Sequence, residues 1–277
     1  MGLVKAWCSR HRRVVVSSWL RRVAVPALAG LALVACGART GQVPPLPAAP
    51  HVAAAGPTVD RIRHTGVLRV AADLSYPPMA FRRDGAPAGF DVELATLLAT
   101  SLGVRLAVVD TPFATISDGV PADVDAVVGV VPQAVAPGLP SDSYYTWQQA
   151  ILSPGRGAVG SLDGLRGLHV AVAAGSSRGV AVARDAGAIP ELTYLPEQAL
   201  TSVAQGRARA AVADAPLVLD YAASHPGLRV VVGVGAPVSR VVVVSKDAPD
   251  LASFVSAALH ELDRGGGLAR LRERWHL

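Results

Sequence analysis

The chain has 277 residues, of which 51% are hydrophobic, and it carries 26 Lys and Arg against 21 Asp and Glu, a formal net charge of +5. A chain of this length and composition can bury a sizeable core. Two cysteines are too few for a disulfide scaffold, and the seven histidines are scattered without any metal-ligand spacing. The sequence predicts no metal site and no cofactor.

The amino terminus is typical of a secretory leader. Residues 1–22 hold six basic residues and no acidic one, and the apolar run Val23–Ala35 ends in Leu33-Val34-Ala35-Cys36. This order predicts a signal peptide over residues 1–35 with a lipobox, so that Cys36 becomes the lipid-modified first residue. A transmembrane anchor is the alternative, but thirteen apolar residues are fewer than the roughly 20 that span a bilayer. The pair Arg12-Arg13 leaves twin-arginine export open.

Removal of the leader changes the charge and the cysteine count. Six basic residues leave with it, so 20 Lys and Arg remain against 21 acidic residues, a net charge of −1. A nucleic-acid partner is therefore not expected, because its binding needs a basic surface. One cysteine remains, so no internal disulfide can form. The stretch 36–57, rich in Gly, Pro and Ala, is expected to be a flexible tether.

The first elements after the tether predict an α/β unit. An apolar run at Leu68–Ala72 ends in a polar turn that begins at Asp73, the place where open α/β sheets bind ligands. Asp91 is a plausible N-cap for a helix with Leu94, Leu97, Leu98 and Leu102 on one face, and Gly103 ends it. Further elements are predicted at residues 105–109 (strand), 113–120 (helix) and 126–131 (strand).

A second α/β unit repeats the plan. Strands are predicted at 169–174, 193–195 and 209–213, with a turn at Gly175-Ser176-Ser177 and helices at 196–205 and 215–224. A returning strand at 238–245 and two amphipathic helices separated by Gly265–Gly267 complete the chain. Two similar units suggest two lobes with a cleft between them.

The order of these residues resembles the bacterial solute-binding proteins of the polar amino-acid family (family 3), which have a type II periplasmic-binding fold. The loop Asp73-Leu-Ser-Tyr76-Pro-Pro, the segment Ser141–Tyr144 and the carboxy-terminal segment Gly267–Trp275 carry the resemblance, which covers nearly the whole chain after the leader. It implies an α/β, two-lobed clamshell with a mostly parallel sheet in each lobe, a monomer that works with an ABC permease. The expected domains are a signal peptide (1–35), a tether (36–57), lobe 1 (58–147 and 238–277) and lobe 2 (148–237).

The resemblance also implies which residues face the ligand. Asp214 matches the position that pairs with a ligand amino group, and Ser176 and Ser177 match a turn that receives a carboxylate at a helix N-terminus. Asp73 and Tyr76 would line the cleft, and Tyr76 and Phe113 could flank an apolar side chain. The expected ligand-binding residues are Asp73, Tyr76, Phe113, Val130, Ser176, Ser177 and Asp214. Simpler structural roles stay open: Asp214 and Ser177 as helix N-caps, and the two aromatic residues as core.

One departure from the family affects the expected ligand. Family members that bind amino acids carry a carboxylate-binding arginine where this chain has Pro137, and the small hydroxylated residues before it are replaced by Gly129–Pro132. A buried carboxylate without a bidentate arginine is poorly compensated, so ordinary amino-acid zwitterions are disfavoured and cationic solutes favoured. Arg178 could supply the missing charge or could be a surface residue.

Three other functions remain as alternatives to solute binding for import. Gly175-Ser176-Ser177-Arg178-Gly179 fits the Gly-x-Ser-x-Gly motif of a hydrolase, with Asp214 and His260 following in the order of a catalytic triad. The cleft could instead dehydrate a small ring acid, using Asp73 or Asp214. The chain could also be a sensor or scaffold with a degenerate cleft. The favoured interpretation is a non-enzymatic, lipid-anchored binding protein on the outer face of the cell membrane that delivers its solute to an ABC importer.

Overall fold

A computed structural model describes residues 44–132, 135 and 137–277. The predicted signal peptide, Cys36 and the first part of the predicted tether lie outside the described residues. Among the helices of the described part, none combines the length and the apolar character needed to cross a membrane.

The described residues form helices and strands in alternation, with one short 3-10 helix at Leu162–Leu165. The α-helices are α1 (Pro57–Thr65), α2 (Phe90–Leu102), α3 (Phe113–Ile116), α4 (Ser177–Asp185), α5 (Pro196–Ala204), α6 (Ala215–Ser224), α7 (Pro249–Arg264) and α8 (Gly267–Arg274). The strands are β1 (Val67–Ala72), β2 (Ser75–Tyr76), β3 (Ala80–Arg83), β4 (Ala86–Ala88), β5 (Arg105–Asp110), β6 (Ala126–Val130), β7 (Leu139–Pro140), β8 (Tyr145–Pro154), β9 (His169–Ala173), β10 (Ile189–Thr193), β11 (Ala210–Asp214) and β12 (Leu228–Val244).

Two parallel β-sheets are joined through a pair of long antiparallel strands. The strand order is β10-β9-β11-β8-β12-β6-β1-β5, with β7 beside β12. β5, β1 and β6 are parallel and form lobe 1, whereas β10, β9 and β11 are parallel and form lobe 2. β8 and β12 pair antiparallel and connect the lobes. This is the predicted two-lobed α/β architecture.

Both faces of each parallel sheet are covered, as parallel sheets require. In β1, Val70 and Ala72 belong to a core packed under α1, α2, α7 and α8, while Ala71 between them belongs to a smaller cluster on the opposite face. Lobe 2 has two clusters of its own on either side of β9 and β11. The alternation along each strand therefore assigns its side chains to two layers.

The pairing of β8 with β12 is irregular where the chain returns from lobe 2. Register shifts fall between Val231 and Val234 and between Val234 and Val238. Gly233 and Gly235 have φ of 80° and 76°, a conformation that residues with a Cβ rarely adopt. The irregular segment lies directly before residues 238–245, where a returning strand was predicted.

Several predicted boundaries are wrong in detail. The strand expected at 193–195 is β10 (Ile189–Thr193), and the helix expected at 113–120 is limited to Phe113–Ile116. α2 begins one residue before Asp91, with Gly89 at the N-cap position, so Asp91 is not an N-cap. The segment between β1 and α2 also contains a small sheet of β2, β3 and β4, which was not predicted from the sequence.

The described end of the predicted tether lies against lobe 1. Residues 44–56 form no helix or strand, yet Ala49 and Val52 pack on the lobe 1 core. Arg274 of α8 donates a hydrogen bond to the carbonyl oxygen of Pro44. This part of the segment therefore follows the surface of the lobe.

Gly89 connects the loop after β1 to α2, and its replacement should be costly. It has φ of 124°, and a Cβ at this position would lie 2.2 Å from the carbonyl oxygen of Met79. Gly103, which ends α2 with φ of 75°, has no atom within 4 Å of such a Cβ. Gly103→Ala should cost about 1–2 kcal/mol from the left-handed backbone alone. Gly89→Ala should lower the melting temperature clearly more, because backbone atoms must also move.

Thermal unfolding of the two variants and the parent tests this difference. Equal melting temperatures for the two variants would contradict the close approach of Gly89 to Met79.

Candidate functional site

A cavity of about 380 Å³ lies between the two lobes. Its wall contains all seven residues that the sequence analysis assigned to ligand binding: Asp73, Tyr76, Phe113, Val130, Ser176, Ser177 and Asp214. The first four belong to lobe 1 and the last three to lobe 2. The fold thus brings these positions, which are far apart in sequence, to one cleft of a size usual for small-molecule sites.

Asp214 ends β11 and lies at the N-cap position of α6, but its side chain makes no capping hydrogen bond. One carboxylate oxygen accepts a hydrogen bond from the Tyr76 hydroxyl and the other from Nε2 of Gln149. Burial, and to a smaller extent the neighbouring Asp214 carboxylate, raise the pKa of Tyr76 well above its ordinary value. The phenol therefore keeps its proton and donates the hydrogen bond to Asp214. The carboxylate therefore faces the cleft instead of capping a helix, and it joins lobe 2 to lobe 1.

The turn before α4 presents hydroxyl and backbone groups to the cavity. Ser176 is the N-cap, and its hydroxyl accepts a hydrogen bond from the backbone N–H of Gly179 at 3.2 Å. The alternative that Ser177 caps this helix is therefore wrong. Ser177 is exposed at the first helical position, where backbone N–H groups have no partner within the helix.

Asp73 lines the cavity, but its carboxylate also ties the loop together. One oxygen accepts a hydrogen bond from the backbone N–H of Ser75 at 3.0 Å, and the other accepts one from the N–H of Phe113 at 2.9 Å. Phe113 itself is 49% exposed, so it belongs to the cavity wall and not to the core. Asp73 thereby fixes the position of Phe113.

The cavity wall also contains a buried ion pair that the sequence analysis did not anticipate. Arg240 of β12 donates from Nη1 to a carboxylate oxygen of Asp91, and their side chains are 8% and 0% exposed. The other Asp91 oxygen accepts a hydrogen bond from the Tyr144 hydroxyl at 2.7 Å, and that hydroxyl accepts one from the backbone N–H of Gly129 at 3.0 Å. Burial raises the pKa of Asp91, and the Arg240 charge and the Tyr144 hydroxyl act against that rise, so these two donors stabilise the buried carboxylate.

Aromatic rings enclose the guanidinium group of Arg240. Its Cζ lies 5.2 Å from the centroid of the Tyr76 ring and 5.1 Å from that of Trp147, within the range of cation–π attraction. Burial by itself lowers the pKa of Arg240, but the Asp91 carboxylate and the other acidic groups nearby raise it above its ordinary value. Arg240 is therefore a fixed cation in the cavity wall.

Gly129 provides the space for this pair. Its φ is 83°, and a Cβ built there would lie 2.6 Å from a carboxylate oxygen of Asp91 and 2.8 Å from Nη1 of Arg240. Gly129 is the first of the four residues that replace the small hydroxylated residues of the family. Pro137 is exposed and is absent from the cavity wall, whose positive charges are Arg240 of β12 and the exposed Arg178 of α4.

Some buried polar atoms near the cavity have no hydrogen-bond partner within the described residues. They are Nε1 of Trp147, Oε1 of Gln149, Nε of Arg240 and, elsewhere, Oδ1 of Asp250. Three of these four atoms lie on the strands β8 and β12. In the described part of the chain, no three His, Cys, Asp or Glu side chains are grouped as a metal site would require.

The residues of the proposed hydrolase triad do not come together. Ser177 and Asp214 line the interlobe cavity, whereas His260 lines a second cavity and lies 3.3 Å from Asp142. A nucleophile and its base must be within hydrogen-bond reach. The geometry therefore gives no support to the hydrolase alternative.

Arg240 and Asp91 are the site residues that sequence reasoning missed. A signal for Arg240 was available, because it is the single charge in the mostly apolar run Val238–Val244, which was predicted to be a strand. A charge in such a strand needs a partner. Asp91 gave no such signal, since an acidic residue in the first turn of a helix is ordinary.

The fold and the cavity define a two-lobed α/β binding protein, and comparison with known proteins agrees. Residues 68–277 match the bacterial extracellular solute-binding proteins, family 3. The chain belongs to this family, so the predicted family and fold class are confirmed.

Individual relatives cover the chain to different extents. A probable amino-acid ABC transporter-binding protein of Haemophilus influenzae is 27% identical over 231 residues, 80% of this chain and 89% of that protein. A cyclohexadienyl dehydratase of Pseudomonas aeruginosa is 52% identical over 54 residues, which are 19% of this chain and 20% of that enzyme. A solved structure of an ancestral cationic amino acid solute-binding protein has a TM-score of 0.70 and 28% identity, covering 79% of this chain and 99% of that one.

Breaking the buried pair should destabilise the protein. Arg240→Met leaves Asp91 buried without a counter-charge, and such changes cost about 3–5 kcal/mol. Asp91→Asn combined with Arg240→Met removes both charges and should recover most of that loss. Arg264→Met is the control, because the ion pair between Arg264 and Glu261 is solvent-exposed. Its loss should lower the free energy of unfolding by less than about 1 kcal/mol.

Urea denaturation of the four proteins measures these differences. A single Arg240→Met variant as stable as the parent, or a double variant no better than the single one, would contradict the role of the pair.

Proposed function

We propose that the protein is the lipid-anchored, solute-binding component of an ABC importer and that it closes its two lobes over a small amine-bearing solute. The observation that carries the proposal is the convergence of residues from both lobes in one cavity, with the Asp214 carboxylate turned toward it. The family membership and the amino-acid transport relative from Haemophilus influenzae support the import role.

The charges around the cavity favour a cationic group on the solute. Three carboxylates (Asp73, Asp91 and Asp214) face two guanidinium groups (Arg178 and Arg240) in its wall, an excess of one negative charge. Since Asp91 is paired with Arg240, Asp214 is the carboxylate best placed to meet an ammonium group. The similarity to an ancestral binding protein for cationic amino acids agrees with this charge balance.

The match to a dehydratase gives a second candidate, the dehydration of a small ring acid in the same cleft. Such a reaction needs an acid to protonate the departing hydroxyl group. Both Asp214 oxygens act as hydrogen-bond acceptors, from the Tyr76 hydroxyl and from Nε2 of Gln149, whereas a general acid would have to donate from one of them. Solute binding without chemistry therefore remains the proposal.

Loss of the Asp214 charge should weaken solute binding. A charge-assisted hydrogen bond contributes about 1.5–3 kcal/mol, so Asp214→Asn should reduce affinity about tenfold or more. Asp73→Asn should have a smaller effect, because backbone N–H groups of lobe 1 hold both Asp73 oxygens in place, whereas the donors to Asp214 are side chains that can turn to admit a solute. Asp185→Asn is the matched control, since Asp185 is an exposed acid of lobe 2.

Calorimetry with a panel of amino acids, amines and small peptides provides the measurement. If no member of the panel binds the parent protein, the sensor or scaffold alternative gains support. If Asp214→Asn binds as tightly as the parent, the ammonium group does not meet Asp214.

The lipid anchor is tested separately at Cys36. The short apolar run before it ends in Leu-Val-Ala-Cys, so we expect Cys36 to carry the lipid and hold the protein on the outer face of the cell membrane. Cys36→Ala should release the protein from the membrane fraction or leave its leader uncleaved. Membrane fractionation with mass spectrometry tests whether Cys36 carries the lipid. An unmodified Cys36 on membrane-bound protein would refute the anchor.

A further inference from the structure

We infer that Arg240 and Trp147 form a receptor for a carboxylate group of the solute, so that the solute carries a carboxylate as well as an amine. This inference rests on the proposed function and adds the chemical group that the strands between the lobes recognise. It assigns the anion-binding role to β8 and β12, in place of the lobe 1 position occupied by Pro137.

Two buried N–H donors of the cavity wall lack an acceptor within the described part of the chain. Arg240 gives Nη1 to Asp91, while its Nε–H has no acceptor among the described residues, and the indole N–H of Trp147 likewise has none. Trp147 is 8% exposed and Arg240 is 7% exposed, and both are in the wall of the interlobe cavity. Buried N–H groups are almost always paired in proteins. Two unpaired donors beside one cavity therefore point to an acceptor on the ligand.

The chemistry of the two donors indicates the kind of acceptor. An arginine and an indole N–H together suit a planar anion, and a carboxylate carries one negative charge in that form. A phosphate would bring nearly two charges into a wall that already has an excess carboxylate, and it would be repelled by Asp91 and Asp214. The carboxylate is therefore the anion that this wall accepts.

Tyr76 connects the two charged subsites, Asp214 and Arg240. Tyr76 contacts both, because its ring lies against the Arg240 guanidinium while its hydroxyl donates to Asp214. A solute with neighbouring ammonium and carboxylate groups can meet Asp214 and Arg240 together. The expectation from sequence that zwitterions lack a cationic partner is thereby revised.

The rigidity of Arg240 suits this role. The two aromatic rings and Asp91 hold the guanidinium in place before a ligand arrives, so little side-chain freedom is lost on binding. Arg178, by contrast, is exposed and has no such support. Gly129 leaves the space that the Asp91–Arg240 pair needs, so the position of Arg240 depends on the absence of a side chain at residue 129.

Matched probes separate the carboxylate from the amine. Calorimetry uses L-arginine with agmatine, L-lysine with cadaverine, and L-phenylalanine with phenethylamine, each amine being the amino acid without its carboxylate. We expect the parent protein to bind at least one amino acid about tenfold or more tighter than its amine. That ratio should collapse to less than about threefold in the Asp91→Asn, Arg240→Met double variant, while the affinity for the amine changes little.

Two further variants complete the design. Trp147→Phe keeps the ring beside Arg240 and removes only the indole N–H, so it should lower the affinity for the amino acid about threefold or more and spare the amine. This variant keeps the test valid even where the double variant does not fold. Arg229→Met, an exposed arginine of the same strand, should leave both affinities unchanged.

The possible failures are distinguishable. Equal binding of amino acid and amine by the parent, or an unchanged ratio in the Trp147 and double variants, overturns the carboxylate receptor and leaves the amine-binding function intact. Failure of all six probes to bind contradicts the proposed function, and this inference with it.

Discussion

The site depends on one buried ion pair, Asp91 with Arg240. Removing two charges from water is costly unless each finds its partner and its remaining hydrogen bonds. Asp91 meets this condition with the Tyr144 hydroxyl, and Arg240 meets it in part through the rings of Tyr76 and Trp147. The pair thereby joins the first turn of α2 to the strand that leads back from lobe 2, and Gly129 must lack a side chain to admit it.

The placement of Arg240 links recognition to the connection between the lobes. It lies on β12, a few residues after the irregular segment that contains Gly233 and Gly235. Trp147 lies on β8, the other connecting strand. A solute that contacts both these strands and Asp214 of lobe 2 would therefore favour one relative position of the lobes. Such a solute would couple binding to lobe closure, as a hinged binding protein requires.

Particular residues show how far sequence reasoning reached. α6 was predicted at Ala215–Ser224 and has these bounds. A proline in its first turn and an apolar face are local signals that define this helix. The seven proposed ligand-binding residues came from a motif order and meet in one cavity. Asp91 was misread as an N-cap, because the local sequence offers a cap signal and contains no information on an arginine 149 residues away.

The sequence by itself determined the α/β class, the order of elements and the candidate leader, since hydrophobic periodicity, glycine and proline act over a few residues. Only the tertiary structure decided the charge of the site. Whether Asp214 caps a helix or faces the cleft, and whether Arg240 is exposed or buried, depends on side chains that come from distant strands. Those contacts form only when both lobes and the two strands between them are assembled, so no local pattern can encode them.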